Sequence, residues 1–259
     1  MNDKGPSVAF FGATGDCAGY CLAAALHGGF KCSALARSPE KLINSLSEKG
    51  VDRQAIDAQL HIVSGNVKDE EAVKRTLRPN GERIVDQIVS GIGGTPQTQW
   101  SLTKPITLND PTICQDAGKT ILQALEGLKS DKKPFFINVS TTGIPPNGCP
   151  RDVPLFFVPL YHWLLAVPHA DKKVLEDNLV SHMKIPKDER AIQGYVNVRP
   201  SLLMDGEAKG VQSLREGVDR KPAVGYTIRR QDVGRWMFER LVKQGVKAEW
   251  VNQGVTITY

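Results

Sequence analysis

Three groups of residues in this 259-residue chain have the types and spacing for chemistry on an anionic ligand. The first is Gly12-Ala13-Thr14-Gly15-Asp16-Cys17-Ala18-Gly19, preceded by Val8-Ala9-Phe10-Phe11 and followed by Leu22, Ala25 and Leu26 at helical spacing. Glycines at 12 and 15 let a turn pass close to a ligand. A helix opening there offers unpaired N–H groups and the positive end of its dipole, so the expected ligand is a pyrophosphate. Gly12, Thr14, Gly15, Asp16 and Cys17 would hold it. The spacing is not the common Gly-x-Gly-x-x-Gly, and the competing reading is a tight turn packed with small residues. The second group is Arg37-Ser38, just past a second strand, where an acid would bind a ribose 2′-hydroxyl and an arginine accommodates a 2′-phosphate. NADP is therefore expected over NAD, although Ser38-Pro39 also reads as a helix cap and first residue. The third is His169, one helical turn from Lys173, which could move a proton near neutral pH or merely begin a helix.

The elements that must position these groups alternate. Lys31–Ala36 reads as a strand, 39–60 as a helix and a polar segment, and His61–Ser64 as a strand running into Gly65-Asn66-Val67. Asn66 and Val67 fall over the adenine pocket of such a sheet, where Asn66 could bond the ring; Asp69 caps the next helix, Glu70–Leu77. Strand Ile84–Val89 delivers Ser90-Gly91-Ile92-Gly93-Gly94, whose glycines allow close approach to a ribose or nicotinamide. A helix from Asp110-Pro111 to Leu128 precedes strand Pro134–Val139, which ends in Ser140-Thr141-Thr142-Gly143. Then come a strand over Gly194–Pro200, a loop over Ser201–Pro222, a short strand Tyr226–Ile228, a helix Val233–Lys243 capped by Asp232, and a strand Val255–Tyr259. The expected fold is α/β: a Rossmann-like doubly wound parallel sheet with a small C-terminal substrate-capping region. Residues 1–259 form one NAD(P)-binding domain, with a cofactor half to about residue 150 and a substrate half after it.

Composition narrows the class. The net charge of +5 is mild and its cations are spread along the chain, so no nucleic-acid footprint is expected. Five cysteines (17, 21, 32, 114, 149) lack paired C-x-x-C spacing, which indicates neither a disulfide framework nor a metal site. Met1–Pro6 leaves no room for a signal peptide, and the apolar run Leu155–Pro168, broken by prolines and His162, is too short for a bilayer. The expectation is a cytoplasmic protein with a small-molecule substrate and no membrane or nucleic-acid partner, for which a homodimer would be ordinary.

With five strand–helix alternations and hydroxyl residues ending the fifth strand, the chain resembles the short-chain dehydrogenase/reductase superfamily, in its atypical NmrA-like branch. Tyr161–Glu176, Val198–Leu203 and Gly225–Val233 look like fungal proteins attached to aromatic polyketide pathways. The resemblance covers nearly the whole chain. It implies an NADP cofactor and a lysine that holds the nicotinamide ribose, preceded by a tyrosine four residues earlier that exchanges a proton with the substrate. That tyrosine is absent. Counting back from Glu176 puts Lys172 in the lysine role and Pro168 where tyrosine belongs, whereas counting from His169 pairs it with Lys173.

The register between the two lysines stays open, with Lys172 the first choice and His169 the nearest proton carrier. Ser140 matches the superfamily's serine and, with Thr141, would touch the nicotinamide carboxamide or substrate. Tyr161 and His162 precede the helix and line the pocket or pack as its wall; Asp171 and Lys173 read as a solvated face. The reading is an NADP-dependent oxidoreductase moving a hydride between NADPH and a carbonyl or quinone-like group of a mostly apolar, aromatic substrate, with His169 or a water supplying the proton. Two alternatives keep the cofactor fold: a non-redox isomerase or dehydratase, and a non-enzymatic NADP sensor.

Overall fold

The computed structural model describes residues 5–81, 83–98, 100 and 106–259. Part of the N-terminal stretch Met1–Pro6 (1–4) and part of the loop after Gly94 (99, 101–105) therefore lie outside the described residues, as does the side chain of His162. The strands are β1 (Val8–Phe11), β2 (Cys32–Ala36), β3 (Leu60–Ser64), β4 (Gln87–Ser90), β5 (Pro96–Thr98) and β6 (Ile106–Leu108). They continue as β7 (Phe135–Val139), β8 (Gly194–Pro200), β9 (Leu202–Met204), β10 (Arg215–Val218), β11 (Thr227–Arg229) and β12 (Gln253–Thr258). The helices are α1 (Asp16–His27), α2 (Pro39–Glu48), α3 (Arg53–Gln59), α4 (Glu70–Leu77), α5 (Ile113–Leu128), α6 (Val158–Leu164), α7 (Ala166–His182) and α8 (Arg230–Trp236).

Eight strands form one sheet in the order β10-β12-β8-β7-β4-β1-β2-β3, parallel except for β10, which runs antiparallel to β12. Strands buried on both faces suit this layout, and β1, β2, β4, β7 and β8 are buried at every position. One apolar cluster joins Val8 and Phe10 to α1, α2 and the α8 region, where Trp236 is fully buried. The other joins Ala9 and Phe11 to α4, α5 and α7. The chain is thus wound on both faces, and the strand order reverses between β1 and β4, where such sheets open their ligand crevice.

Several expected boundaries shift. Residues 39–60 contain two helices, because Asp52 accepts the Gln54 N–H and restarts the chain as α3. The strand begins at Gln87 and not Ile84, since Asp86 is held by Ser7 before the sheet starts. Tyr161 lies inside its own helix, α6, and α7 begins at Ala166, so His169 does not initiate it. Ser201–Pro222 contains β9 and β10, with loop composition only between them. Asp232 does not cap a helix: it lies within α8 and accepts the Lys209 and Gly210 N–H groups at 2.8 and 3.0 Å, and the Tyr259 hydroxyl.

All five cysteines are free; Cys17, Cys21, Cys32 and Cys114 are buried and Cys149 is half-buried. Burial pushes the Cys17 thiol up to about 12 and the Cys114 thiol up to about 11. No helix among the described residues is long and apolar enough to cross a membrane.

Candidate functional site

The carboxyl ends of β1, β2, β3 and β4 surround a cleft of about 310 Å³. Gly12 has φ +76°, and a Cβ there would stand 2.7 Å from the Gly91 carbonyl carbon, so the two glycine clusters meet backbone to backbone. Gly15 precedes α1 with no side-chain cap, leaving that helix end to be satisfied by something else. Thr14 and Gly15 line the cleft with Gly91, Ile92 and Gly93; Asn66 and Val67 form its opposite wall. Asn66 is partly engaged, because its side-chain oxygen accepts the Lys68 N–H at 3.0 Å.

Arg37 also lines this cleft, and Lys41 stands with it. Lys41 went unread because a lysine in the first turn of α2 looks like an ordinary exposed residue. Asn109 and Asp110 close another side; Asn109 is tied to Thr95, and Asp110 is paired with Lys68 at 2.8 Å. Four expected residues fall elsewhere. Ser38 caps α2 by accepting the Lys41 N–H, and its side lies on a neighbouring hollow. Asp16 shares that hollow, paired with Lys49 at 3.3 Å. Cys17 is buried beneath the turn, and Ser90 is buried at the end of β4.

A second group gathers where β7 ends. Lys172 donates from Nζ to the Val139 carbonyl at 2.7 Å, whereas Lys173 pairs with Asp177 at the surface. Of the two lysines, Lys172 is the one that reaches the end of β7. Ser140 is 3% exposed and its Oγ has no hydrogen-bond partner in the structure. Thr141 is half-buried beside it, and Thr142 Oγ1 donates to the Pro200 carbonyl at 3.3 Å. Tyr161 reaches Thr142 with its hydroxyl, and burial raises its phenol above the usual range. Its ring stacks on Phe157 and meets His169 edge-on at 5.2 Å.

Asp171 is a correction. It is buried and accepts the Cys114 and Gln115 N–H groups at 2.8 and 3.0 Å, capping α5 and not facing solvent. Glu176 is buried too, and accepts from Arg199 Nε and Nη2, one edge of the guanidinium, at 2.9 and 2.5 Å. Burial alone would lower Arg199, but Glu176 and Asp219 outweigh it and raise it. This ion cluster locks α7 to β8, and so fixes where Lys172 points.

The comparisons agree with this architecture. A family model described as NAD(P)H-binding matches residues 12–244. The chain is 47% identical over 270 residues to "Reductase pytE" of Aspergillus terreus, covering all of both chains. It is 34% identical to "Oxidase pynE" of Aspergillus niger, covering 98% of each. Among solved structures it resembles ChuY, an anaerobillin reductase from Escherichia coli O157:H7, with a TM-score of 0.61, 17% identity and coverage of 97% of this chain and 96% of that one. The chain belongs to the NAD(P)H-binding family.

Proposed function

We propose that this protein is an NADP-dependent oxidoreductase that moves a hydride between NADPH and a carbonyl or quinone-like group of a mostly apolar, aromatic substrate. The observation that carries the reading is the pairing of two half-sites across one sheet: a glycine-lined cleft at β1 and β4, and Lys172 beside a buried, unpaired Ser140 hydroxyl at β7. Similarity to proteins named reductase and oxidase supports redox chemistry in either direction.

The residues present suit the cofactor. Gly12 admits the close backbone approach of Gly91 that any side chain would block, which keeps the turn low beside the cleft, and the uncapped start of α1 suits a pyrophosphate. Arg37 and Lys41 supply two cations at the end where a 2′-phosphate would lie. Lys172 would hold the nicotinamide ribose, and Ser140 and Thr141 the carboxamide or the substrate oxygen. When bound, NADPH supplies the hydride. The chain orients the acceptor at the Ser140–Gly143 turn, where Tyr161 and His169 form an aromatic wall, and delivers the proton from this cluster. Phe157 links that wall to exposed Tyr226 by an edge contact at 5.2 Å, extending an apolar approach toward the surface.

Calorimetric titration with NADPH, NADP and NADH tests the first half. NADPH should bind much more tightly than NADH, and Arg37→Ala should erase that preference; equal binding of both would overturn the NADP assignment. Loss of reduced-nicotinamide absorbance on adding aromatic carbonyls tests the second. Turnover without loss of that absorbance would make the protein a non-redox enzyme.

A further inference from the structure

The glycine-lined cleft suits a polyanion, yet its walls are not uniformly cationic. Against Arg37 and Lys41 stands one carboxylate among the described lining residues, that of Asp110. It shares a cleft of about 310 Å³ with Gly12 and Gly15, so its charge acts on any anion that they hold. Left unpaired, it would repel the pyrophosphate that the uncapped start of α1 suits.

Lys68 answers that charge. Its Nζ stands 2.8 Å from Asp110 Oδ2 and 2.9 Å from Asp116 Oδ2. The bond from Lys68 is the chief cause that holds the Asp110 carboxyl below its usual range, and the two carboxylates raise the lysine in turn. Both partners are therefore ionised at neutral pH, and both roots are pinned. The Lys68 N–H donates to Asn66 Oδ1 at 3.0 Å, on the wall after β3. Asp110 follows Asn109, whose Oδ1 accepts the Thr95 N–H at 2.7 Å and whose own N–H donates to the Thr95 carbonyl at 3.0 Å. Asp116 lies in the first turn of α5, outside the lining of the cleft. With side chains 43% and 30% exposed, Lys68 and Asp110 form the kind of pair that adds little to folding stability. What the pair changes is the potential inside the cleft.

We propose that Lys68 sets dinucleotide affinity by cancelling the Asp110 carboxylate that a bound pyrophosphate would otherwise meet. The inference rests on the cofactor half of the function proposed above. Arg37 and Lys41 serve the 2′-phosphate and so separate NADPH from NADH. Lys68 acts on the anion that both dinucleotides share, and its effect falls on both.

The test is calorimetric titration of the full chain with NADPH and NADH, at low and high salt. Wild type is compared with Lys68→Met alone and with Lys68→Met combined with Asp110→Asn or with Asp116→Asn. Methionine keeps the stem and removes the charge, and asparagine keeps an oxygen for the Thr112 N–H that Asp110 accepts. Lys68→Met should weaken both dinucleotides about fivefold at low salt and less at high salt. Adding Asp110→Asn should restore most of that loss, and adding Asp116→Asn should restore less. Unchanged affinity in Lys68→Met would overturn the proposal. So would a loss that Asp110→Asn fails to recover, which would make Lys68 a brace between the two walls, or a loss confined to NADPH, which would place Lys68 at the 2′-phosphate. A wild type that binds neither dinucleotide would remove the cofactor reading itself, and this inference with it.

Discussion

The two ends of the parallel sheet treat a carboxyl group in opposite ways. Just before β4, Asp86 accepts the Ser7 N–H at 2.8 Å, the Ser7 hydroxyl at 2.6 Å and the Lys132 ammonium. Burial acts to raise Asp86, but these donors outweigh it and hold the carboxyl below the usual range. Just past β7, Asp152 accepts the Gly143 N–H on one oxygen, has an unpartnered second oxygen, and is pushed up by burial. Asp86 ties together the approaches to β1, β4 and β7. At the far end bonding capacity is left unmet, as expected where a ligand completes the set.

Substitutions can break this contrast. Gly12→Ala carries the largest effect: it needs an unfavourable positive φ and drives a methyl into the Gly91 backbone, so NADPH binding should disappear from calorimetry. His169→Ala should lower turnover only about tenfold, through loss of the wall beside Tyr161. A loss of 100-fold or more would instead make the imidazole the proton donor. Arg37→Ala should weaken NADPH about tenfold, with NADH unchanged. Asp86→Asn should leave all of this intact and cost roughly 1 kcal/mol of stability in denaturant unfolding.

The pH dependence sharpens the contrast. Asp86 has a lowered folded value, so its stabilisation is present above the unfolded carboxyl range near 3.9 and is lost as pH falls through the folded value. Asp152 has a raised folded value, so the protein loses stability as pH climbs from about 4 toward that value. Melting temperatures of Asp86→Asn and Asp152→Asn should therefore diverge from wild type with opposite signs as pH rises. Parallel curves would refute the contrast.

Much of the cofactor half was legible because it is local. Val8–Phe11 reads as a buried strand, Gly12 and Gly15 as a turn, and Asp69 as a cap, each from neighbours in sequence. The β7 end was harder. Lys172 and Lys173 are adjacent in sequence, yet successive helix positions point about 100° apart, and only packing against β7 tells which faces the site. Asp171, Asp232 and Asp152 bond to segments 57, 22 and 9 residues away, and short-range patterns carry no record of such partners. Lys41 was hidden for a different reason: only the fold brings it to the cleft that Arg37 lines.

The cysteine arrangement offers a built-in clock. Cys149 is half-buried three residues from Asp152, while the other four thiols are sealed in the interior. A thiol reagent should mark Cys149 in the native protein, and mark Cys17, Cys21, Cys32 and Cys114 only when the interior opens. Pulse labelling followed by mass measurement would then time two events in one sample: motion of the segment bearing Asp152, and rarer openings of the sheet that carries it.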